Sequence, residues 1–499
     1  MMRLDELMKL TGGSLRVCAD AGRRITAIST DSRRVEAGGC FVALDGTRQD
    51  GAGFIAEAVR SGAAVVVHKK NAVLPPVPEA VVMVGVAEPR AVLGALAAAF
   101  YGNAAERLKV IGVTGTNGKT TITYALEHLF RAAGRRSGVI GTIQYQIEDY
   151  QEPAVNTTPD ILTLQRLFAA MVARDCRYAV MEVSSHALDQ GRVNGVRFDY
   201  ALFTNLTHDH LDYHHDREAY FTAKAKLFRG LSRGQTAIIN SDDEYGRRLP
   251  PLTPARVVRY ALADTAADFF AEKICCRREG TDFYVRSPAG AVEMHTRLIG
   301  RHNVYNLLAA MACGVSEGLS PAEAAHAIRC FAPVRGRLEC VDAGQPFAVF
   351  VDYAHTEDAL RNVLSALRQL QPQRLIVVFG CGGDRDCLKR PRMGEAAALL
   401  ADEVFVTSDN PRGEDPEKII AEIIGGFPAG FTRYRVIAER RAAIESALGS
   451  AQARDIVLLA GKGHETTQIF AGHTVAFDDC RVAREILAHL GWPAGASAG

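Results

Sequence analysis

The chain is predicted to be an α/β protein of three domains: a small N-terminal α/β domain, a central phosphate-loop domain on a mostly parallel sheet, and a doubly wound C-terminal domain. Three observations carry this. A strand, a glycine-bearing loop and a helix follow one another over 109–131. Strand and helix patterns alternate again from 335 to the end. The 499 residues are enough for about three domains.

The phosphate loop is the element the others serve. Its β-branched run, 109–113, reads as a buried parallel strand. Thr114-Gly115-Thr116-Asn117-Gly118-Lys119-Thr120-Thr121 follows, and 122–131 reads as a helix. Glycines let backbone N–H groups turn toward an anion, and the helix N-terminus adds its positive dipole end. In this arrangement Lys119 reaches the β- and γ-phosphates of a nucleotide and Thr120 the Mg²⁺ ion. Val113 stands where the usual pattern has its first glycine, and Gly115 lies two residues later.

Composition narrows the classes. Apolar residues make up 48% and charged residues 23%, as in ordinary globular protein. A net charge of +1 argues against a nucleic-acid polyanion as the main partner. No run of about 20 apolar residues is present, so membrane insertion is not expected. The eleven cysteines lack paired metal-type spacing, and reduced thiols in the cytoplasm are expected. Residues 1–10 read as a short amphipathic helix without a long apolar stretch of signal type.

Ahead of the loop, 1–103 holds strand patterns at 25–31, 40–44 and 63–68 and helices at 55–61 and 91–101. The polar clusters Asp31-Ser32-Arg33 and Thr47-Arg48-Gln49-Asp50-Gly51 read first as turn chemistry.

The central domain is expected over 104–334. A strand is expected at 139–145. Thr158 as N-cap, Pro159 at the first position and Asp160 in the first turn open a helix, leaving Asn156 and Thr157 unexplained by it. The strand 178–183 buries Glu182, and a carboxylate in an apolar strand needs a partner or a metal ion. After the strand 200–206 comes a run with His208, His210, His214 and His215. It fits either a transition-metal site or one functional histidine, His210, among solvated ones; the second is preferred because no cysteine or Glu-x-x-His companion is near.

The helix 217–229 gathers Tyr220, Phe221, Leu227 and Phe228 into one stripe with Lys224 at its centre and Lys226 opposite. A lysine so placed must snorkel, pair or lose its charge, and snorkelling is the commonest outcome. A neutral amine there adds CO₂ to give a carbamate. A strand at 237–240 is followed by a less patterned segment to 298, and Gly300 opens a helix.

In 335–499, strands at 348–353, 375–380, 403–408, 435–438 and 456–460 alternate with helices. Polar turns follow four of them: 352–355, 380–386, 409–412 and 461–465. Such turns face one crevice, and their arginines and carboxylates suit a small zwitterion.

Taken together, 114–121, 156–159, 181–188, 205–214, Ala223-Lys224, 300–306, 335–339, 352–355 and 409–412 resemble the Mur ligases of peptidoglycan synthesis over essentially the whole chain. The likeness is strongest to the diaminopimelate-adding type. One departure is Glu357, where relatives often carry proline.

The resemblance implies an ATP-dependent amide ligase, acting through an acyl phosphate, that adds meso-2,6-diaminopimelate to UDP-N-acetylmuramoyl-L-alanyl-D-glutamate. It implies that Gly115, Thr116, Asn117, Gly118, Lys119, Thr120 and Thr121 bind the phosphates, with Asn303, Arg337 and Asp352 on the nucleotide. Thr120, Glu182, His210 and carbamylated Lys224 would place two Mg²⁺ ions; Lys119, Lys224, His210 and Glu182 are the catalytic candidates. Ser32, Thr47, Arg48 and Gln49 would meet the uridine end of the substrate, and Asn156, Thr157, Thr158, Ser184, Gln190 and Arg192 its muramoyl-peptide part. Arg385, Asp409, Asn410, Pro411, Arg412, Gly461 and Glu465 would form the diaminopimelate pocket, Arg412 gripping the distal carboxylate. A cytoplasmic monomer is expected. A folylpolyglutamate-synthase-like ligase, a nucleotide switch and a histidine-cluster hydrolase are the competing classes.

Overall fold

A computed structural model describes residues 2–15, 22–45, 50–207 and 209–492, with Ser14, Leu15 and Asp212 described by backbone alone. The expectations on Thr47, Arg48, Gln49 and His208 lie outside these residues. The chain divides into two compact units, neither continuous in sequence. One comprises Met1–Gly112, Gly134–Ala201 and Lys226–Gln235; the other Val113–Ala133, Leu202–Ala225 and Thr236–Gly499.

In the first unit, Ile28–Ser29, Gly39–Val42, Ala63–Lys69 and Val82–Val86 pair in parallel, and Ser14–Leu15 closes the sheet antiparallel to Val82–Val86. Valines fill both faces of Ala63–Lys69 because the strand lies inside the sheet. The first helix is Leu4–Thr11. The run expected as one strand at 139–145 is two, Ser137–Ile140 and Gln144–Ile147, paired antiparallel. Gly141 lies in the reversal between them. Ser137–Ile140 also pairs in parallel with Tyr178–Glu182.

The helix after 158 is Ile161–Ala173, and its N-cap is Asp160, whose carboxylate accepts from Leu162 and Thr163 N–H. The expected cap, Thr158, is instead buried: Pro159 holds the chain extended there, and Asp160 is the first residue that can fold back on the helix N–H groups.

In the second unit, the stretch expected to be less patterned holds four strands: Arg256–Ala261, Phe269–Arg277, Gly280–Ser287 and Gly290–Thr296. The last three form an antiparallel meander, so the mostly parallel sheet carries an antiparallel margin. Gly280–Ser287 alternates, with Phe283 and Val285 inward between polar neighbours.

The C-terminal sheet has parallel strands Ala348–Asp352, Ile456–Ala460, Leu375–Phe379, Glu403–Val406 and Tyr434–Val436 in that spatial order. Phe350, Val377 and Leu458 join one core, whereas Val349, Val351, Ile376, Val378, Val457 and Leu459 join another. The alternation places apolar cores on both faces, the doubly wound arrangement. The departure at Glu357 is accommodated. Thr356 caps the helix Glu357–Arg368, and Glu357 sits in its first turn, where a negative charge meets the dipole.

Candidate active site

The strand Lys109–Thr114 delivers the loop, and the helix Lys119–Ala132 leaves it, three residues earlier than expected. Two glycines make the turn. Gly115 has φ +145° and Gly118 +89°. An added Cβ would meet Thr204 Oγ1 at 1.8 Å at the first and Asn306 Oδ1 at 2.2 Å at the second. Gly118 is the helix cap and offers no side chain to the first-turn N–H groups. Lys119 Nζ lies back over the loop, donating to Thr116 O at 2.8 Å and Gly115 O at 3.0 Å. Asn117 N donates to Asn205 Oδ1 at 3.0 Å, and Thr204 Oγ1 donates to Asn117 O at 2.7 Å, so the loop is pinned from its outer side. The result is an anion cradle with an ammonium at its mouth.

The stripe on Arg217–Arg229 is buried as expected, and Lys224 with it. Lys224 pairs rather than snorkels: Nζ donates to Gly115 O at 2.8 Å and lies 4.4 Å from the Tyr220 ring centroid. Burial, aided by the Lys119 charge, pushes its pKa well below the ordinary lysine value. Lys226 reaches Asp189 at 2.7 Å on a half-exposed site.

His210, at φ +54°, caps the short helix Leu211–His214. Its N–H donates to Asp209 Oδ1 at 2.9 Å, and its ring Nε2 is 3.3 Å from Asp209 Oδ2. Burial raises the Asp209 pKa, but the charges of His210, His355, Lys389 and Lys119 outweigh it and hold the carboxylate below its usual range. His214, expected to be solvated, is buried with its ring 5.2 Å from that of Tyr220. Among the described residues no three His, Cys, Asp or Glu side chains converge as a metal cluster.

Arg337 reaches the loop: Nη2 donates to Thr120 Oγ1 at 3.1 Å, and the guanidinium lies 4.7 Å from the Tyr353 ring centroid. Tyr353 is flanked by His355 at 4.5 Å and His464 at 5.0 Å. Asn117 Nδ2 donates to Asp358 Oδ2 at 2.7 Å. Asp352 accepts from Leu338 N at 2.7 Å and Ala354 N at 2.8 Å; burial raises its pKa. Asn303 accepts from Asn306 Nδ2 at 3.1 Å and donates to Ile299 O. Of the nucleotide candidates, Arg337 and Asn117 are at the loop itself, and Asn303 is linked to it through Asn306.

The polar turns after the C-terminal strands meet. Asn410 Nδ2 donates to Glu465 Oε2 at 2.8 Å. Gly461 N donates to Asp352 O at 3.1 Å, joining this cluster to the nucleotide side. Arg412 Nη1 donates to Gly383 O at 2.9 Å, at a backbone φ of +51°. Pro411 O bonds Glu414 N. Arg385 and Arg412 flank Gly382, and Arg385 is the more exposed. Below them Arg440 and Asp479 form a fully buried pair at 2.6 Å, with Arg440 Nη2 also donating to Ala460 O at 3.0 Å. Burial raises the Asp409 pKa, opposed by Lys462 and Arg440.

In the first unit Glu182 is buried. Its Oε1 accepts from Thr142 N at 2.8 Å and its Oε2 from Thr142 Oγ1 at 3.0 Å. Thr142 also bonds Thr157 Oγ1 at 3.1 Å. Thr158 Oγ1 donates to Glu182 O at 2.8 Å and accepts from Ser184 N at 3.0 Å. Arg192 donates to Thr158 O at 3.1 Å and to Gln190 Oε1 at 2.7 Å. Tyr145 Oη donates to Asn156 O at 2.6 Å. All six residues expected at the muramoyl-peptide part thus lie in or beside one network. Ser32 stands apart, buried and donating to the Glu57 carboxylate. Its neighbours follow the turn reading: Asp31 caps Arg33 and pairs with it, and that pairing takes its pKa to about 2.

Sequence reasoning missed Thr142, Asp209, Tyr220, Asp358 and Lys462. Asp209 and Lys462 sit in the polar runs 205–214 and 461–465, next to His210 and Gly461. Thr142 was hidden by reading 139–145 as one strand. Asp358, on a helix surface, gave no signal.

Three family models match the chain: "Mur ligase family, catalytic domain" over 24–101, "Mur ligase middle domain" over 113–314 and "Mur ligase, glutamate ligase domain" over 336–463. UDP-N-acetylmuramoyl-L-alanyl-D-glutamate--2,6-diaminopimelate ligase of Geobacillus kaustophilus is 44% identical over 473 residues, covering 94% of this chain and 96% of its own. The ligase of the same name from Synechococcus elongatus is 47% identical over 471 residues, 93% and 94% of the two chains. A solved structure carrying that name superposes with a TM-score of 0.71 at 33% identity, covering 98% and 99%. With relatives 44–47% identical over nearly its whole length and three family models matched along it, the chain belongs to the Mur ligase family.

Proposed function

We propose that this chain is an ATP-dependent ligase that joins meso-2,6-diaminopimelate to the D-glutamyl carboxyl group of UDP-N-acetylmuramoyl-L-alanyl-D-glutamate. The observation that carries this is the phosphate cradle with Lys119 and Arg337, linked through Asp352 and Gly461 to a cluster of arginines and carboxylates in the same unit. Relatives at 44–47% identity over nearly the whole chain bear the name of that activity. Domain boundaries at 103/104 and 334/335 are part of the proposal.

A carboxylate is a poor electrophile. Transfer of the γ-phosphoryl group of ATP to the glutamyl oxygen gives an acyl phosphate; the amine of the diamino acid adds to its carbonyl carbon, a proton is lost, and phosphate departs with its electron pair. The first step brings anion to anion. Lys119 supplies a positive charge at the cradle, the Gly118 end of the helix supplies N–H donors, and Arg337 approaches Thr120 from the far side of the loop. Asp409, Asn410, Arg412, Gly461 and Glu465, with Arg385, would hold the diamino acid: carboxylates for ammonium, arginines for carboxylate. The Thr157–Thr158–Ser184–Gln190–Arg192 network, with Asn156, would hold the muramoyl peptide, and Ser32 with Thr47, Arg48 and Gln49 the uridine.

The donors proposed for Mg²⁺ in the second unit are Thr120, His210 and carbamylated Lys224; Glu182 is the carboxylate proposed as a metal ligand in the first. Hydroxyl, carboxylate and carbamate oxygens suit a hard cation, and burial, by lowering the Lys224 pKa, favours the free amine to which CO₂ adds. When bound, Mg²⁺ neutralises phosphate charge and fixes the phosphoryl group.

The test is purified protein with ATP, UDP-muramoyl-dipeptide and a panel of amino acids, products weighed by mass spectrometry. A product heavier by one diaminopimelate less water is expected. Folate as the preferred acceptor, or turnover without ATP, would contradict it.

A further inference from the structure

Lys462 lies in the 461–465 turn between two residues of the proposed diamino-acid pocket, and its side chain is fully buried. Its Nζ has three acceptors: Thr467 O at 2.7 Å, Glu465 Oε2 at 3.0 Å and Asn410 Oδ1 at 3.2 Å. An ammonium has three protons and no acceptor, so these contacts saturate it.

The consequence falls on Asn410. Its Oδ1 accepts from Lys462 and from Ile469 N at 3.0 Å, while Nδ2 donates to Glu465 Oε2 at 2.8 Å. With two donors on one side, the amide has one orientation only, because the flipped amide would set N–H against N–H. Glu465 is fixed in turn: Oε2 takes both Lys462 and Asn410, which orients the carboxylate and leaves its charge balanced by one ammonium. Gln468 Nε2 donates to Asp409 O at 2.8 Å and Arg412 N to Ile469 O at 3.0 Å, so the strand Thr467–Phe470 braces the turn at 409–412 from the same side.

We propose that Lys462 is a positioning residue for the diamino acid: bonded to Asn410, Glu465 and Thr467 at once, it sets the amide and the carboxylate in the orientation in which they receive the ligand. This rests on the function proposed above. Lys462 touches neither the phosphate loop nor Arg337 by any hydrogen bond described, so its removal should act on one substrate. It also explains why a full charge is buried where a shorter polar residue would satisfy Glu465 alone. Losing it takes the ammonium from the half-buried Glu465 carboxylate and one of two donors from the Asn410 amide oxygen.

The experiment is steady-state kinetics of Lys462→Met and of the unsubstituted protein, varying each substrate in turn. The variant should raise KM for diaminopimelate roughly tenfold or more, as expected for a lost charged hydrogen bond. KM for ATP and for UDP-muramoyl-dipeptide should stay within about twofold. In Lys462→Ala, which leaves the space that methionine fills, added ethylammonium should recover part of the diaminopimelate KM. If all three KM values rise together, or the diaminopimelate KM does not move, the proposal is overturned. Should Lys462→Met fail to fold, Lys462→Gln, with its thermal midpoint measured beside its kinetics, carries the same expectation. Failure of the unsubstituted protein to use diaminopimelate would sink the functional reading itself; normal use by it with an unmoved variant sinks only the role of Lys462.

Discussion

At the residue scale, Lys224 is an amine placed where water does not reach it. Lys224 has given up solvent for one carbonyl, Gly115 O, and a tyrosine face. Burial lowers its pKa, which favours the free amine that carbamylation requires. Lys224→Ala is expected to lose at least about 100-fold in kcat, by analogy with the loss of one charge-stabilising group. Short carboxylic acids should restore part of it by supplying the missing oxygens. Undiminished activity of the variant without added acid would discard the carbamate. This residue was legible from sequence as an anomaly, a lysine centred on an apolar stripe, but its fate was not. Choosing between snorkelling and pairing needs the position of Gly115 O, which lies 109 residues away along the chain.

At the scale of elements, the loop shows what patterns reveal. The strand–glycine–lysine–helix order survives intact because each part has a local cause: β-branched residues, positive φ, a helix without a side-chain cap. Gly118→Ala tests that cause. It adds strain at φ +89° and a Cβ against Asn306 Oδ1, with an expected stability loss of about 1–3 kcal/mol and weaker ATP binding, read by denaturant unfolding and nucleotide titration. Elements with non-local causes were misread. The break within 137–147 is made by pairing with Tyr150–Pro153 and Tyr178–Glu182, not by local composition. The first strand of the meander over 269–296 is hard to read from sequence, because from Glu272 on both its faces are partly exposed and its register shifts between Glu272 and Cys275. The central C-terminal strands, Leu375–Phe379 and Ile456–Ala460, are apolar throughout and plain in the sequence, and so are the turns after them.

At the scale of the whole molecule, burial sets how stability responds to acid. His302, His355 and His464 are each lowered by burial to about 4, below the usual 6.5. Between those values the unfolded chain binds more protons than the folded one, so stability rises with pH across that window and falls on acidification from 6.5 toward 4. Asp352 and Asp409, raised by burial, act in the opposite sense above the ordinary carboxylate value and lessen the slope. The thermal midpoint should therefore drop between pH 7 and pH 5, and His464→Gln should flatten that drop; a midpoint independent of pH over this range would contradict the burial of these rings as neutral groups.

In the proposed reaction the glutamyl carboxylate takes the γ-phosphoryl group of ATP, and the amine then displaces the phosphate. The direct measurement is oxygen transfer: UDP-muramoyl-dipeptide labelled with ¹⁸O in the reacting carboxyl group, ATP and diaminopimelate are turned over, and the released phosphate is weighed. One labelled oxygen in each phosphate formed is the predicted result; phosphate free of label, with amide formed at the normal rate, would contradict it.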